Sequence, residues 1–473
     1  MLTDLTWLEP GKPFPPEPEK KRIQTYRENE RLFLSEHVEV YKVAFDELKK
    51  KLKQKQKDYP VTEILNYQQL LSKKVSDFVC GEAPEVQYSK NSTVAKSIDY
   101  ILETNSFWSK LYEGIIDVTR YGNGVAKIMG DRLSMVDAGS WYPIVNPYEL
   151  KHIEQQVVAY PVAPDKEGKY AQLYAEIHKQ GNIERRWYEY KDDKEEGKIG
   201  KQIKAPDGQR DAEPVNIQTF FMLTNVTHSR SVYGLDDYLI INSIVQAIMW
   251  RLYCANRIMD KHSEPSLSGP TSALTWDERT KTYYLDLASY FKRENADSPD
   301  VKYLTWDGNL DNNFKQIEIL LEQLYILSEM GAAFVVGGDA GATSSGTALK
   351  LRLVSPRIKA QRIATLNTAM VKAMIVALCA ANGLAVDSKN LGLFWNDGLP
   401  DDPVEDANRH STETAGKQTK SVRTAITERG LTEEQATEEY ERILEEQNSS
   451  MPVVLTVPPT LEEDEDDELG TED

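Results

Sequence analysis

Cysteine is scarce in this chain of 473 residues. There are three, Cys80, Cys254 and Cys379, far apart and odd in number. Neither a disulfide framework nor a CxxC metal site fits them, and a reducing cytoplasm is the natural place of synthesis. Histidine is almost as sparse: His37, His152, His178, His228, His262 and His410 include no two at a metal-ligand spacing and no HExxH or Cys/His cluster. A GxSxG element is missing. Acids abound, but no local pairing singles out a general acid and base. These absences give catalysis no positive support, and no cofactor or metal is expected. No run of about 18 apolar residues is found, which predicts no membrane span. The N-terminus carries Pro10, Pro13, Pro15, Pro16 and Pro18 in place of an apolar signal core.

What is present is an ordinary globular composition, 40% hydrophobic and 28% charged. The length predicts two to four compact regions. Net charge is −19, unevenly placed: Leu461 to Asp473 holds nine acids and no Lys or Arg, leaving −10 for the remainder. That tail reads as a solvated, disordered end, with a DNA-repelling or DNA-mimicking end as the alternative. An acidic chain argues against tight DNA binding, because binders neutralise phosphates with Lys and Arg.

Along the chain, residues 1–18 read as an extended arm. Glu19 to Lys57 is charged and helix-prone, with Leu32, Phe33, Val38, Tyr41, Phe45 and Leu48 at helical intervals. Asn66 to Phe78 and Ser97 to Tyr121 predict two further helices. The period then changes. Gly124 to Met129, Arg132 to Val136, Trp141 to Val145, His152 to Tyr160, Ala171 to His178, Ile183 to Tyr190 and Ile217 to Leu223 read as strands. Tyr190 to Asp211 is Lys/Asp/Gly-rich and reads as an exposed turn or hairpin excursion. Leu235 to Lys261 is the strongest helix, with Asp236 and Asp237 placed in its first turn, where acids favour the positive helix end. Phe314 to Met330 and Ser344 to Ala381 predict two more, the latter kinked or broken at Pro356. Leu391 to Trp395 is a short apolar run, and His410 to Gln447 is polar and helix-forming. The fold class is α+β.

Two glycine-rich elements invite a nucleotide reading and fail it. Gly341 is followed by Ala342-Thr343, not Lys and Ser/Thr, and a helical segment precedes the loop. Gly122-x-Gly124 has Lys127 where a dinucleotide fingerprint needs its third Gly. The loop Gly331 to Gly341 remains open between a plain helix-to-helix connection and a moving channel loop. Leu235–Lys261 is likewise open between a simple core helix and one that packs against its own copies.

The ordered set of features resembles the portal proteins of tailed bacteriophages over most of residues 60–450. The resemblance rests on NYQQLLSKKVSDFVCGEAPEV (66–86), RYGNGVAKIMGDR (120–132), DAGSWYPIVNP (137–147), HSRSVYGLDDYLIINSIVQAIMWRLYCANRIMDKHSEP (228–265), SSGTALKLRL (344–353) and FWNDGLPDD (394–402). It implies a portal fold with wing, helical stem, clip and crown, assembling as a ring around a central channel. The implied regions are an arm and wing at 1–225, a stem helix at 226–262, a clip at 263–309 and a second stem helix at 310–330. A tunnel loop follows at 331–345, then a long wing helix and connection at 346–399, a crown at 400–450 and the tail at 451–473. The tunnel loop would comprise Phe334, Val335, Val336, Gly337, Gly338, Asp339, Thr343, Ser344 and Ser345. Stem packing would use Ile241, Ile244, Ile248, Leu252, Ile258, Ile317, Leu321 and Leu324. Contact with motor or adaptor would use Trp276, Tyr283, Tyr284 and Tyr303. The implied partners are other copies of the chain (usually twelve in the family), the terminase large subunit, a head-completion adaptor, major capsid and scaffolding proteins, and duplex DNA. The implied location is the capsid vertex of a virion. An unrelated oligomeric scaffold and a nucleotide-binding enzyme are the alternatives.

Overall fold

The computed structural model describes residues 1–51, 60–88, 92–164, 169–191, 197–263, 267–268, 274–285, 302–303, 310–331, 353–396, 411–414, 420–428 and 433–450. The chain forms two units, Met1–Leu399 and Pro400–Asp473.

The first unit opens with strand β1 (Pro13–Phe14) and helices α1 (Glu17–Phe33), α2 (His37–Val40) and α3 (Lys42–Lys51). The single helix-prone stretch of the sequence is thus cut, because Ser35 adopts φ +70°. Helix α4 (Tyr67–Cys80) starts at Asn66, whose side chain accepts from Gln69 N at 2.8 Å. Strand β2 (Glu85–Tyr88) follows. The next predicted helix is also two, α5 (Ser92–Thr104) and α6 (Phe107–Tyr121), broken where Ser106 turns left-handed at φ +49°. Alternation then takes over as expected in β3 (Asn123–Met129), β4 (Arg132–Val136), β5 (Trp141–Asn146), β6 (Glu149–Pro164), β7 (Tyr170–Lys179) and β8 (Asn182–Lys191), and again in β11 (Phe220–Thr224). By contrast, β9 (Gly197–Ile203), with Ile199 buried, lies in the segment read as an exposed excursion, and β10 (Ala212–Pro214) lies outside the strands expected from the sequence.

Strands β5 to β9 form an antiparallel meander, with β1 added beside β9 and β10 beside β8. A second sheet has the order β11-β3-β4. The Pro-rich arm is not a loose addition. Leu2 bridges to Ile144 on β5, β1 pairs with β9, and Trp7, Leu8 and Phe14 lie buried under the meander with Tyr142, Val157, Leu173, Ile177 and Ile199. Arg22 on α1 clamps this face, donating to Ala138 O at 3.1 Å and Trp141 O at 2.7 Å while paired with buried Glu19 at 2.6 Å.

The remaining elements are α7 (Tyr238–Ser263), β12 (Leu267–Ser268), β13 (Leu274–Asp277), β14 (Thr282–Leu285), β15 (Lys302–Tyr303), α8 (Leu310–Leu327), α9 (Val354–Ala381) and β16 (Leu391–Phe394), the last pairing with β2. Helix α9 is the spine of the largest core. Ile363, Val371, Met374, Ile375, Leu378 and Cys379 are buried in it beside Leu71 and Val75 of α4 and Leu223 of β11. Pro356 does not kink α9. It falls in the first turn, where its missing N–H has no intrahelical acceptor to lose.

In the second unit, α10 (Val422–Glu428) packs on α11 (Glu433–Ser450), with Ala425 and Ala436 buried and Arg423 bonded to Thr437. The acidic tail lies outside the described residues.

Candidate functional site

The approach to α7 is built on contact between backbones. Gly122, the left-handed cap of α6 at φ +82°, lies directly against Gly234, and a Cβ on either would strike the other's carbonyl. Asn123 Oδ1 accepts from Gly234 N at 2.9 Å, and Tyr233 inserts beneath, its OH donating to Glu19 at 2.8 Å. The acid pair precedes the first turn of α7 instead of lying within it. Asp236 Oδ1 accepts from Leu239 N at 2.8 Å and so caps the helix. Asp237 is buried and faces Asn225 at 3.0 Å and Lys359 of α9 at 2.9 Å.

Helices α7 and α8 pack side by side and antiparallel. Asn313 at the start of α8 donates to Arg251 O, and the end of α8 meets the head of α7 through Lys359. The predicted stem residues line this seam and the adjoining core: Ile241, Ile248, Ile317 and Leu324 are buried, while Ile244, Leu252, Ile258 and Leu321 are half-buried. The four buried ones are covered within one chain, and Ile244, Leu252 and Leu321 pack partly against the same core. Other large apolar side chains of the pair are exposed: Leu239 (65% exposed), Ile240 and Met259 on α7, and Phe314, Ile319, Ile326 (66%) and Leu327 on α8. Periodicity missed these. Ile319 and Ile326 stand one heptad apart, a spacing that signals an apolar side but not which side is buried.

Between the two helices lies a β-hairpin, β13–β14, with Trp276 opposite Tyr283 and their rings 4.8 Å apart, edge to face. Trp276, Tyr283 (67% exposed), Tyr284 and Leu274 all face solvent. Tyr303, the fourth predicted contact residue, is placed by its backbone, which pairs β15 with β12. The predicted tunnel-loop residues Phe334, Val335, Val336, Gly337, Gly338, Asp339, Thr343, Ser344 and Ser345 lie outside the described residues.

One constellation has the outline of a catalytic relay. Glu176 Oε1 lies 2.6 Å from His178 Nε2, and His178 Nδ1 lies 2.8 Å from Thr219 Oγ1. All three are more than nine-tenths buried, with Lys127 Nζ 2.8 Å from the carboxylate and the Phe220 ring 5.2 Å from the imidazole. Burial pushes the Glu176 carboxyl up, but the His178 hydrogen bond and the Lys127 charge outweigh it and hold it at about 2. The group ties β7 to the three-stranded sheet. Sequence spacing could not find it, because Thr219 and His178 meet only in space. Among the described residues no group of three His, Cys, Asp or Glu could hold a metal ion.

Tyr238–Asp260 and Val354–Ala381 are each long and apolar enough to cross a membrane by length and composition alone, although polar residues such as Gln246, Arg251, Lys359 and Arg362 interrupt them. In the fold both bury a broad side in the chain's own core.

No protein-family model matches the sequence, and no curated protein matches it. Among the solved structures that match are three distant likenesses. One is a chain from the virion of a native gene transfer agent (GTA) particle, with 11% identity and a TM-score of 0.40 over 75% of this chain and 87% of that one. Another comes from the neck of the native GTA particle, computed with C12 symmetry, at 12% identity and TM-score 0.37 over 77% and 89%. A third comes from the neck of the empty GTA particle, computed with C6 symmetry, at 11% and 0.38 over 78% and 90%. At TM-scores this low the likeness establishes neither fold nor role.

Proposed function

We propose that the chain is a portal protein subunit: one member of a ring at a capsid vertex, through which DNA passes inward during packaging and outward during ejection. The observation that carries this reading is the set of exposed aliphatic side chains on the α7–α8 pair. Leu239, Ile240, Ile319 and Ile326 are each about half exposed or more, on the two helices whose opposite sides bury Ile241, Ile317 and Leu324. A cyclic head-to-tail contact would cover such side chains on every subunit at once. The ordered sequence resemblance gives the ring its identity. In this reading the exposed aromatic hairpin at Trp276 and Tyr283 docks the terminase motor and later the head-completion adaptor, capsid and scaffolding proteins surround the ring, and the chain itself performs no catalytic step. A mostly acidic or neutral wall suits a conduit, since each strong phosphate contact acts as a brake on moving DNA. An oligomeric scaffold unrelated to DNA would use the same side chains, and only passage of DNA separates the two.

The test is negative-stain electron microscopy of the purified protein, with solution mass determined on the same sample. A closed ring with a hole wide enough for duplex DNA supports the reading. A compact monomer that never assembles, even beside capsid components, sinks it. Bulky replacements at Gly337 and Gly338 are expected to impair packaging while leaving the ring intact.

A further inference from the structure

We propose that Lys359 is a mechanical lock that ties the head of α7, the end of α8 and the start of α9 together at one buried point. Its ammonium sits at the meeting place of three helices. It lies 2.9 Å from Asp237 Oδ2, at the head of α7, and donates to Ser328 O at 3.0 Å, just past the end of α8. Its own stem is set in the first turns of α9, and the residue is 4% exposed.

The electrostatics explain why a lysine stands there. The carbonyls at the end of a helix lack intrahelical donors and carry the negative end of its dipole, so a cation is favoured. Lys359 meets this demand for α8 and neutralises Asp237 in the same step. Asp237 is itself fixed, its N–H donating to Thr119 O at 2.8 Å and its carboxylate accepting from Asn225. Two further ties stand beside the lock. Ser355 Oγ donates to Glu329 O at 3.0 Å, and Arg362 pairs with the Glu329 carboxylate at 2.5 Å. Glu329 holds φ +60°, a left-handed backbone that L side chains rarely adopt, and Met330 beside it is fully buried. A strained turn of this kind persists only where its surroundings fix it. The start of α7, the end of α8 and the start of α9 are therefore coupled through Lys359, and opening the lock loosens all three segments together.

The lock is a property of a single chain, so its failure is separable from failure of ring assembly. The experiment is hydrogen–deuterium exchange on the full chain, comparing Lys359→Met, Asp237→Asn and the double variant. Lys359→Met is expected to speed exchange about tenfold or more in residues 237–241, 324–331 and 354–360 together, each ~1.4 kcal/mol of lost local stability being one factor of ten. The meander at 141–203 is expected to keep its protection. Asp237→Asn is expected to loosen 324–331 as well, although that segment is remote from it in sequence. The double variant is expected to lie nearer to the parent than the sum of the singles, because no charge is then left buried alone. Loosening confined to 237–241 in Asp237→Asn, additive effects in the double variant, or a uniform rise across the chain would each overturn the proposal. If Lys359→Met does not fold, Asp237→Asn still decides between coupled and local loosening.

Discussion

Gly234 and Gly122 press backbone against backbone, and this is where a single methyl group costs most. Gly234→Ala is expected to lose about 2–4 kcal/mol in denaturant unfolding, since neither chain can withdraw. Asn367 on α9 acts in the opposite manner, supplying contacts where backbone is bare. Its side chain accepts from Thr224 N at 2.8 Å and donates to Thr224 O at 2.9 Å, standing in for a neighbouring strand. Asn367→Leu leaves both groups without partners, and a loss of about 2 kcal/mol is expected by the same measurement. Two buried carboxyls give opposite pH dependences. Glu176, held at about 2, is a depressed acid, so its stabilisation is complete above its ordinary value of 4.5 and fades as pH falls toward 2. Asp117 is raised to about 7 by burial, against the pull of Arg120, so its contribution weakens as pH climbs from its ordinary 3.8 toward 7. Thermal unfolding across pH should therefore show Glu176→Gln flattening the acid limb and Asp117→Asn flattening the slope between about 4 and 7.

Among the elements, strands were the most legible. From β3 to β8 their bounds follow the alternation of the sequence to within a few residues, because each strand has one face on a core. Helix breaks were the least legible. Ser35 and Ser106 end helical runs through left-handed backbones, which nothing in a serine announces. For α7 and α8 the apolar side was legible and its direction was not. Which side of a broadly apolar helix turns inward depends on neighbours such as Phe45 and Leu71, which come from distant parts of the chain. The exposed side chains now identified make a sharp expectation. Ile319→Asp and Ile326→Asp should abolish rings in solution-mass measurements while changing the unfolding free energy of one chain by no more than about 0.5 kcal/mol, as exposed substitutions do. Equal loss of folding and assembly would show instead that α8 is held from its outer side within the chain.

At the scale of the whole molecule, an assembly closed by aliphatic side chains should respond to solvent differently from one closed by ion pairs. Raising ionic strength from ~0.1 M to ~1 M shortens the screening length several-fold yet leaves apolar contact untouched. Rings sized by light scattering are therefore expected to survive that change and to loosen on cooling, where hydrophobic association weakens. A net charge of −19 makes the same point from the other side, since repulsion between copies declines as salt rises. The first residues of the chain have a consequence for time as well as for stability. Leu2 closes one edge of the meander through β5 and Pro13–Phe14 closes the other through β9. Arg22 reaches Trp141 across 119 residues of chain. These residues are made before the strands they seal and must wait for them, so their docking is expected among the late events of folding, after those strands have found one another.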